Sequence, residues 1–300
     1  MTFSKLSKLV LALGASAALA ACGNSDSSND STDTSSDSTT EAAAITGPIS
    51  VISREEGSGT RDAFVEATGV MADDVDNTTA AATIMNGTDQ VMTAVADDPN
   101  AIGYISLGSL NDTVKALAVD GVEATEENVA SGDYAISRPF NIVYQGELEG
   151  VVADFHDFIF SEEGQAIVLE EGYVQAKAEA APYEGDGSQS GSINVVGSTS
   201  VSPVMEKLAE AYEELNSGVQ INITSNGSSA GVKAATDGTA DLGMASRALA
   251  DDETDVTAEA IATDGVAVIV NPENGVSDLS LATVASIFTG ETTDWEGTAQ

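Results

Sequence analysis

Three times along this chain, an apolar run of strand length gives way to a loop of glycine and small hydroxyl residues, and then to a stretch of helical periodicity. ISVIS (49–53) leads through Gly57-Ser58-Gly59-Thr60 into RDAFVEAT, INVVG (193–197) through STSVSP into a longer helix, and VQINIT (219–224) through SNGSSAG into a third. In the second helix Val204, Leu208, Ala211, Tyr212 and Leu215 share one face, with Ser202 and Pro203 supplying N-cap and first-turn signals. Strands that alternate with helices restrict the chain to α/β architecture. AIGYIS, AISRPFNIV and GVAVIV read as further buried strands, and ADLGMAS (240–246) as a short strand with a polar tip. One helix is predicted over FHDFIFSEEGQAIVLEEGYV, and the polar stretch PYEGDGSQSGS (182–192) divides the body.

The loops share one chemical design. Gly57 to Thr60, Gly197-Ser198-Thr199-Ser200 and Asn226 to Gly231 each place glycine and hydroxyls at a strand-to-helix junction. A helix N-terminus presents unpaired N–H groups and partial positive charge, so an oxyanion is a natural ligand there. Glycine admits close approach of the backbone, and Ser or Thr hydroxyls rotate to donate. One such loop alone reads as ordinary helix capping. Three in one α/β chain, one of them flanked by Arg54 and Arg61, point to an oxyanion site.

Enzyme chemistry finds little support. GSGT lacks the lysine and the spacing of a nucleotide phosphate loop. The sole histidine, His156, lies in the amphipathic stretch DFHDFIF, and the sole cysteine is Cys22. Neither a Ser-His-Asp triad nor a His/Cys metal site is supported, and no cofactor is implied. Asp251-Asp252-Glu253 lacks calcium-loop spacing.

The first residues bear on compartment. Lys5 and Lys8 precede LVLALGASAALAA, an apolar run too short to span a bilayer stably. Leu19-Ala20-Ala21-Cys22 resembles a bacterial lipobox, so residues 1–21 are expected to be a lipoprotein signal peptide and Cys22 the lipidated residue. Residues 22–46, small, polar and acidic, are expected to form a disordered linker between that anchor and the body. The expected localisation is extracytoplasmic, on the cell membrane. With 49 acidic against 10 basic residues the net charge is −39, which argues against nucleic acid as a partner. It does not exclude a small anion, because local donors outweigh a distant, screened field.

SREEGSGTRDAF, NAIGYISLGSLNDTVKALAVDG, VVGSTSVSPVMEKLAEAY and ADLGMASR together resemble the PstS-like phosphate-binding proteins of bacterial ABC transporters, across essentially all of residues 47–300. The resemblance implies a two-lobed, type II-like periplasmic-binding-protein fold that encloses inorganic phosphate and delivers it to permease subunits. It implies no enzyme activity. The segment order departs from the family's, with the SREEGSGT half first, so the fold is expected to be circularly permuted. One lobe would comprise 47–137 and 271–300, the other 138–270 with the linker 182–192. Carried over onto matching positions, Thr199 and Ser200 belong to the first phosphate loop, Ser228 to the second, and Arg54, Ser58, Gly59 and Thr60 to the third. Ser246 stands where many relatives have the aspartate that accepts the phosphate proton. Ser229 and Arg247 adjoin the site. Asp62 is a candidate substitute acceptor, and Arg61 either reaches the ligand or braces Glu55 and Glu56. Competing readings are a receptor for sulfate or another tetrahedral oxyanion and, in a different class, a surface adhesin or phosphatase.

Overall fold

The computed structural model describes residues 46–298. The expected signal peptide, Cys22 and all but the last residue of the expected linker lie outside them. No helix among the described residues is long and apolar enough to cross a membrane.

Eight strands form a continuous path through the main sheet. In chain order they are β1 (Ser50–Arg54), β2 (Thr83–Met85), β3 (Ala101–Ser106), β4 (Ser137–Tyr144), β5 (Ser190–Gly197), β6 (Gly218–Ser225), β7 (Leu242–Ala245) and β8 (Thr257–Val270). Their spatial order is β6-β5-β7-β4-β8-β3-β1-β2. β5 lies parallel to β6 and β7, and β1 lies parallel to β2 and β3. The two parallel trios are joined by β4 and β8, which are antiparallel to each other and to their outer neighbours. The α/β expectation is met. It is met as two similar halves stitched by one antiparallel pair.

Successive parallel strands require a crossover, which four of the helices supply. The helices are α1 (Gly59–Thr68), α2 (Thr88–Ala96), α3 (Glu126–Ser131), α4 (Gly150–Ile159), α5 (Glu162–Glu170), α6 (Ser202–Leu215), α7 (Ser228–Thr236) and α8 (Leu281–Thr289). The one helix predicted from Phe155 onward is two. Ser161 Oγ accepts from Gly164 N–H at 3.2 Å and donates to the Phe158 carbonyl at 2.7 Å, so it ends α4 and caps α5. Ser202 is not the N-cap of α6. It lies inside the helix, with Val201 at the cap, and its hydroxyl donates to the Ser198 carbonyl at 3.0 Å. The stretch read as a linker over 182–192 overlaps β5, which begins at Ser190.

Each trio has its own core. Phe140, Phe155, Ile193, Val195, Leu208 and Tyr212 pack in one, and Phe64, Tyr104, Val268, Ile287, Phe288 and Trp295 in the other. Phe64 stacks on Tyr104 with centroids 4.0 Å apart, and Phe288 meets Phe64 edge-on at 4.6 Å. On the opposite sheet faces Val91, Val95 and Ile105 form a smaller cluster in one half, and Val143, Val232 and Ala235 in the other. Burial on both faces is why these parallel strands read as continuous apolar runs. β8 passes from one core to the other, contributing Ile261 and Ala262 to the first and Val266, Val268 and Val270 to the second. β4 does the same with Ile136 before it and Phe140 and Ile142 within it. Where the two strands run together, Arg138 sits opposite Asp264.

The two ends of the described chain meet. Ile49 N–H donates to the Thr293 carbonyl at 2.7 Å and Trp295 N–H to that of Gly47 at 3.1 Å. α8 thereby joins the core built on α1 and β3, although more than 200 residues separate it from α1 in sequence.

Candidate functional site

In open parallel sheets ligands bind beyond the carboxyl ends of the strands, where the helices that follow present their N-termini. Here the carboxyl ends of both trios face one another. β1 runs into α1 through Glu55–Ser58, and β5 into α6 through Ser198–Val201. β2 runs into α2 through Asn86-Gly87, and β6 into α7 through Asn226-Gly227. Four helix N-termini therefore converge.

Arg54 closes β1 and is only 2 % exposed. Its backbone N–H donates to the Tyr104 hydroxyl at 3.1 Å, and that hydroxyl also pairs with Ser53 Oγ at 2.8 Å. Burial pushes the Tyr104 phenol up to about 12, so it stays a neutral anchor for the strand end. The Arg54 guanidinium forks onto Glu55 through Nε and Nη2, both at 2.7 Å. It also reaches hydroxyls on both sides of the cleft: Thr60 Oγ1 from Nη1 at 3.4 Å and Thr199 Oγ1 from Nη2 at 3.1 Å.

A chain of hydroxyls continues from there. Thr60 Oγ1 and Ser200 Oγ are 2.8 Å apart. Ser246 Oγ lies 3.0 Å from Ser198 Oγ and 3.2 Å from Ser228 Oγ, while Ser246 N–H donates to Ser228 Oγ at 3.0 Å. Ser58 caps α1, accepting from Arg61 N–H. Ser58, Thr60, Ser200, Ser228 and Ser246 are all buried. Gly59 is glycine for want of space: a Cβ there would stand 2.5 Å from Ser228 Oγ and 2.8 Å from Ser246 Oγ. Gly197 is glycine for two reasons. Its φ is +146°, and a Cβ would meet the Met244 carbonyl at 2.2 Å. Its own carbonyl accepts from both Asn226 and Gly227 N–H, which fixes the α7 loop against the end of β5.

The structure thus brings together Arg54, Ser58, Gly59, Thr60, Thr199, Ser200, Ser228 and Ser246. The flanking candidates are occupied otherwise. Arg61 donates to Asp76 at 2.7 Å and to the Arg54 carbonyl at 2.9 Å, so it braces the strand end against Asp76 and not against Glu55 or Glu56. Arg247 forks onto Glu253 at 2.7 and 2.8 Å, approaches Asp62 at 3.1 Å and donates to Ser229 Oγ at 3.3 Å. Hydrogen bonding from Arg247 holds the Glu253 carboxyl below the usual range, while burial raises that of Asp62 despite the nearby arginine.

Thr88 went unnoticed in the sequence. It is 5 % exposed at the start of α2, with Oγ1 3.5 Å from Thr199 Oγ1 and 3.4 Å from Ser200 Oγ. The signal was present: Asn86-Gly87-Thr88 repeats the pattern of Asn226-Gly227-Ser228. A cavity of about 330 Å³ adjoins this side of the cluster, lined in part by Gly87, Thr88, Thr199 and Ser202. A larger groove of about 500 Å³ runs past Asp154, His156, Lys177 and Glu184. It carries several carboxylates and lies away from the strand ends, so volume does not identify the site.

The geometry is a buried cleft of hydroxyls around one guanidinium, which is itself paired with the Glu55 carboxylate. Such a cleft can solvate an oxyanion.

Residues 15–163 and 183–299 match the profile of the PBP superfamily domain. The chain is 47% identical over 302 residues to phosphate-binding protein PstS 2 of Streptococcus pneumoniae serotype 4, covering 99% of each. It is 48% identical over 266 residues to PstS 2 of Streptococcus agalactiae serotype V, covering 86% of this chain and 90% of that one. A crystal structure of a phosphate-binding protein of a phosphate ABC transporter from Streptococcus pneumoniae TIGR4 superposes with a TM-score of 0.69 at 50% identity, over 84% of this chain and 100% of that one.

Proposed function

The chain belongs to the PBP superfamily and, within it, to the PstS phosphate-binding proteins, and from that premise we propose that it is an extracytoplasmic receptor that captures inorganic phosphate between two lobes and hands it to an ABC permease. The observation that carries the proposal is the convergence of Arg54 with the hydroxyls of Thr60, Thr199, Ser200, Ser228 and Ser246 at the facing strand ends. The two cores are read as the lobes, and β4 with β8 as the hinge between them. The protein binds and releases. It does not catalyse.

Ser246 occupies the position where a carboxylate would refuse an unprotonated anion. A serine hydroxyl both donates and accepts, so in this proposal it accepts a hydrogen bond from hydrogen phosphate, but it can equally donate to sulfate and does not repel it as a carboxylate would. Calorimetry with phosphate, sulfate and arsenate tests the ligand: phosphate should bind more tightly than sulfate. The reverse order would assign the cleft to another tetrahedral oxyanion.

We read Cys22 as the lipid anchor, with the acidic segment after it as the tether. Stable anchoring requires more than one acyl chain, at roughly 0.8 kcal/mol per buried CH2. Cys22→Ser should therefore release the protein from membranes or leave it unprocessed. A processed, mature-sized variant that still fractionates with membranes would rule the anchor out.

A further inference from the structure

Asp62 and Arg247 belong to different cores. Asp62 lies in the first turn of α1, whose Phe64 and Val65 are buried in the core containing Trp295. Arg247 follows β7, whose Leu242 and Met244 are buried in the core containing Tyr212. Their side chains nevertheless meet, Arg247 Nε lying 3.1 Å from Asp62 Oδ2, with exposures of 12 % and 33 %. The arginine is held for this contact from its own side. Glu253 takes Nη1 and Nη2 in a fork, and the Ala248 carbonyl accepts from Nη1 at 2.8 Å. Five residues before Asp62, the backbone also crosses: Ser229 N–H donates to the Gly57 carbonyl at 3.1 Å.

We propose that the Asp62–Arg247 pair, braced by Glu253, is the latch that holds the two halves closed over the bound anion and sets its rate of release. The inference rests on the proposed phosphate site and extends it: Arg54 and the hydroxyls bind, whereas Asp62 and Arg247 position the walls. With its guanidinium directed to two carboxylates, a carbonyl and Ser229 Oγ, Arg247 acts on the lobes and not on the ligand. A partly buried, fork-braced pair is the kind of ion pair whose contribution is measurable, unlike isolated surface pairs. Loss of the pair speeds opening of the halves, the step that precedes release, so it acts on dissociation more than on association.

A double-variant cycle with Asp62→Asn and Arg247→Gln in the full chain tests this. Phosphate association and release are followed by stopped flow, and hydrogen exchange of the Ser229 amide is followed without phosphate. As the second residue of α7, Ser229 has no intrahelical acceptor, so the Gly57 carbonyl across the cleft is what protects its amide. Each single variant should release phosphate roughly three- to tenfold faster, with association changed by less than about twofold, and the double variant should be no faster than the faster single. Ser229 exchange should accelerate in the same non-additive pattern. Unchanged release and exchange in both singles, or effects that multiply in the double, would overturn the latch. If the parent chain binds no phosphate, the ligand reading fails by itself, and the exchange data alone then decide for or against the latch.

Discussion

Replacing Arg54 with alanine is expected to lower phosphate affinity by roughly 10- to 150-fold, the equivalent of one or two charge-assisted hydrogen bonds at about 1.5–3 kcal/mol in total. The guanidinium is 2 % exposed and lies between Thr60 and Thr199, where water cannot take over its role. The substitution has a second consequence. Glu55 now receives both of its 2.7 Å bonds from Arg54 and would face the anion without a countercharge, which places the expected loss toward the upper end of the range. Arg61→Ala should cost less, because Arg61 is turned toward Asp76 and acts on the ligand only by steadying the Arg54 carbonyl. Salt separates the cases: a fully buried contact is screened little, whereas the influence of the partly exposed Arg61 fades more as ionic strength rises. Affinities of both variants at low and high salt check this. An Arg54→Ala protein that binds within about twofold of the parent would place the anion elsewhere.

What could be read from the sequence was whatever local chemistry writes locally. The loops at Gly57–Thr60, Ser198–Ser200 and Gly227–Ser229 announce themselves because glycine, hydroxyl and helix onset fall together within a few residues. Thr88 escaped because its strand, Thr83–Met85, is three residues long and half-exposed, and so lacks the apolar run that marked the other strands. Its likeness to Ser228 rests on three residues, Asn86-Gly87-Thr88 against Asn226-Gly227-Ser228, too short a match to stand out alone. The split between α4 and α5 turns on one serine whose capping bonds override a continuous helical pattern. The partners of the arginines were illegible for a different reason. With 49 acidic residues any arginine has many candidate carboxylates. Only the fold decides that Arg54 takes Glu55, Arg61 takes Asp76 and Arg247 takes Glu253 and Asp62.

The largest effect on stability is expected where the two halves are joined. Arg138 on β4 and Asp264 on β8 are opposite one another and 3 % and 1 % exposed. Nε and Nη2 of Arg138 donate to Asp264 Oδ2 at 3.1 and 2.9 Å, and Asp264 Oδ1 accepts from Ser106 Oγ at 3.0 Å and Leu107 N–H at 3.2 Å. Burial drives the Arg138 pKa down and the Asp264 pKa up, so each charge depends on the other for its place in the interior. Asp264→Ala strands a buried guanidinium and removes the acceptor of two further donors. It should destabilise the protein by about 3–5 kcal/mol, a large share of the 5–15 kcal/mol typical of folded domains. An ion pair of this kind is worth little against an apolar replacement of both partners, because desolvation offsets most of the attraction. Arg138→Met combined with Asp264→Ala should therefore be more stable than Asp264→Ala alone, although it carries one more substitution. Urea unfolding of the parent, the single and the double measures this directly. A double variant less stable than the single would mean that the cost lies in lost packing between β4 and β8, and not in the stranded charge.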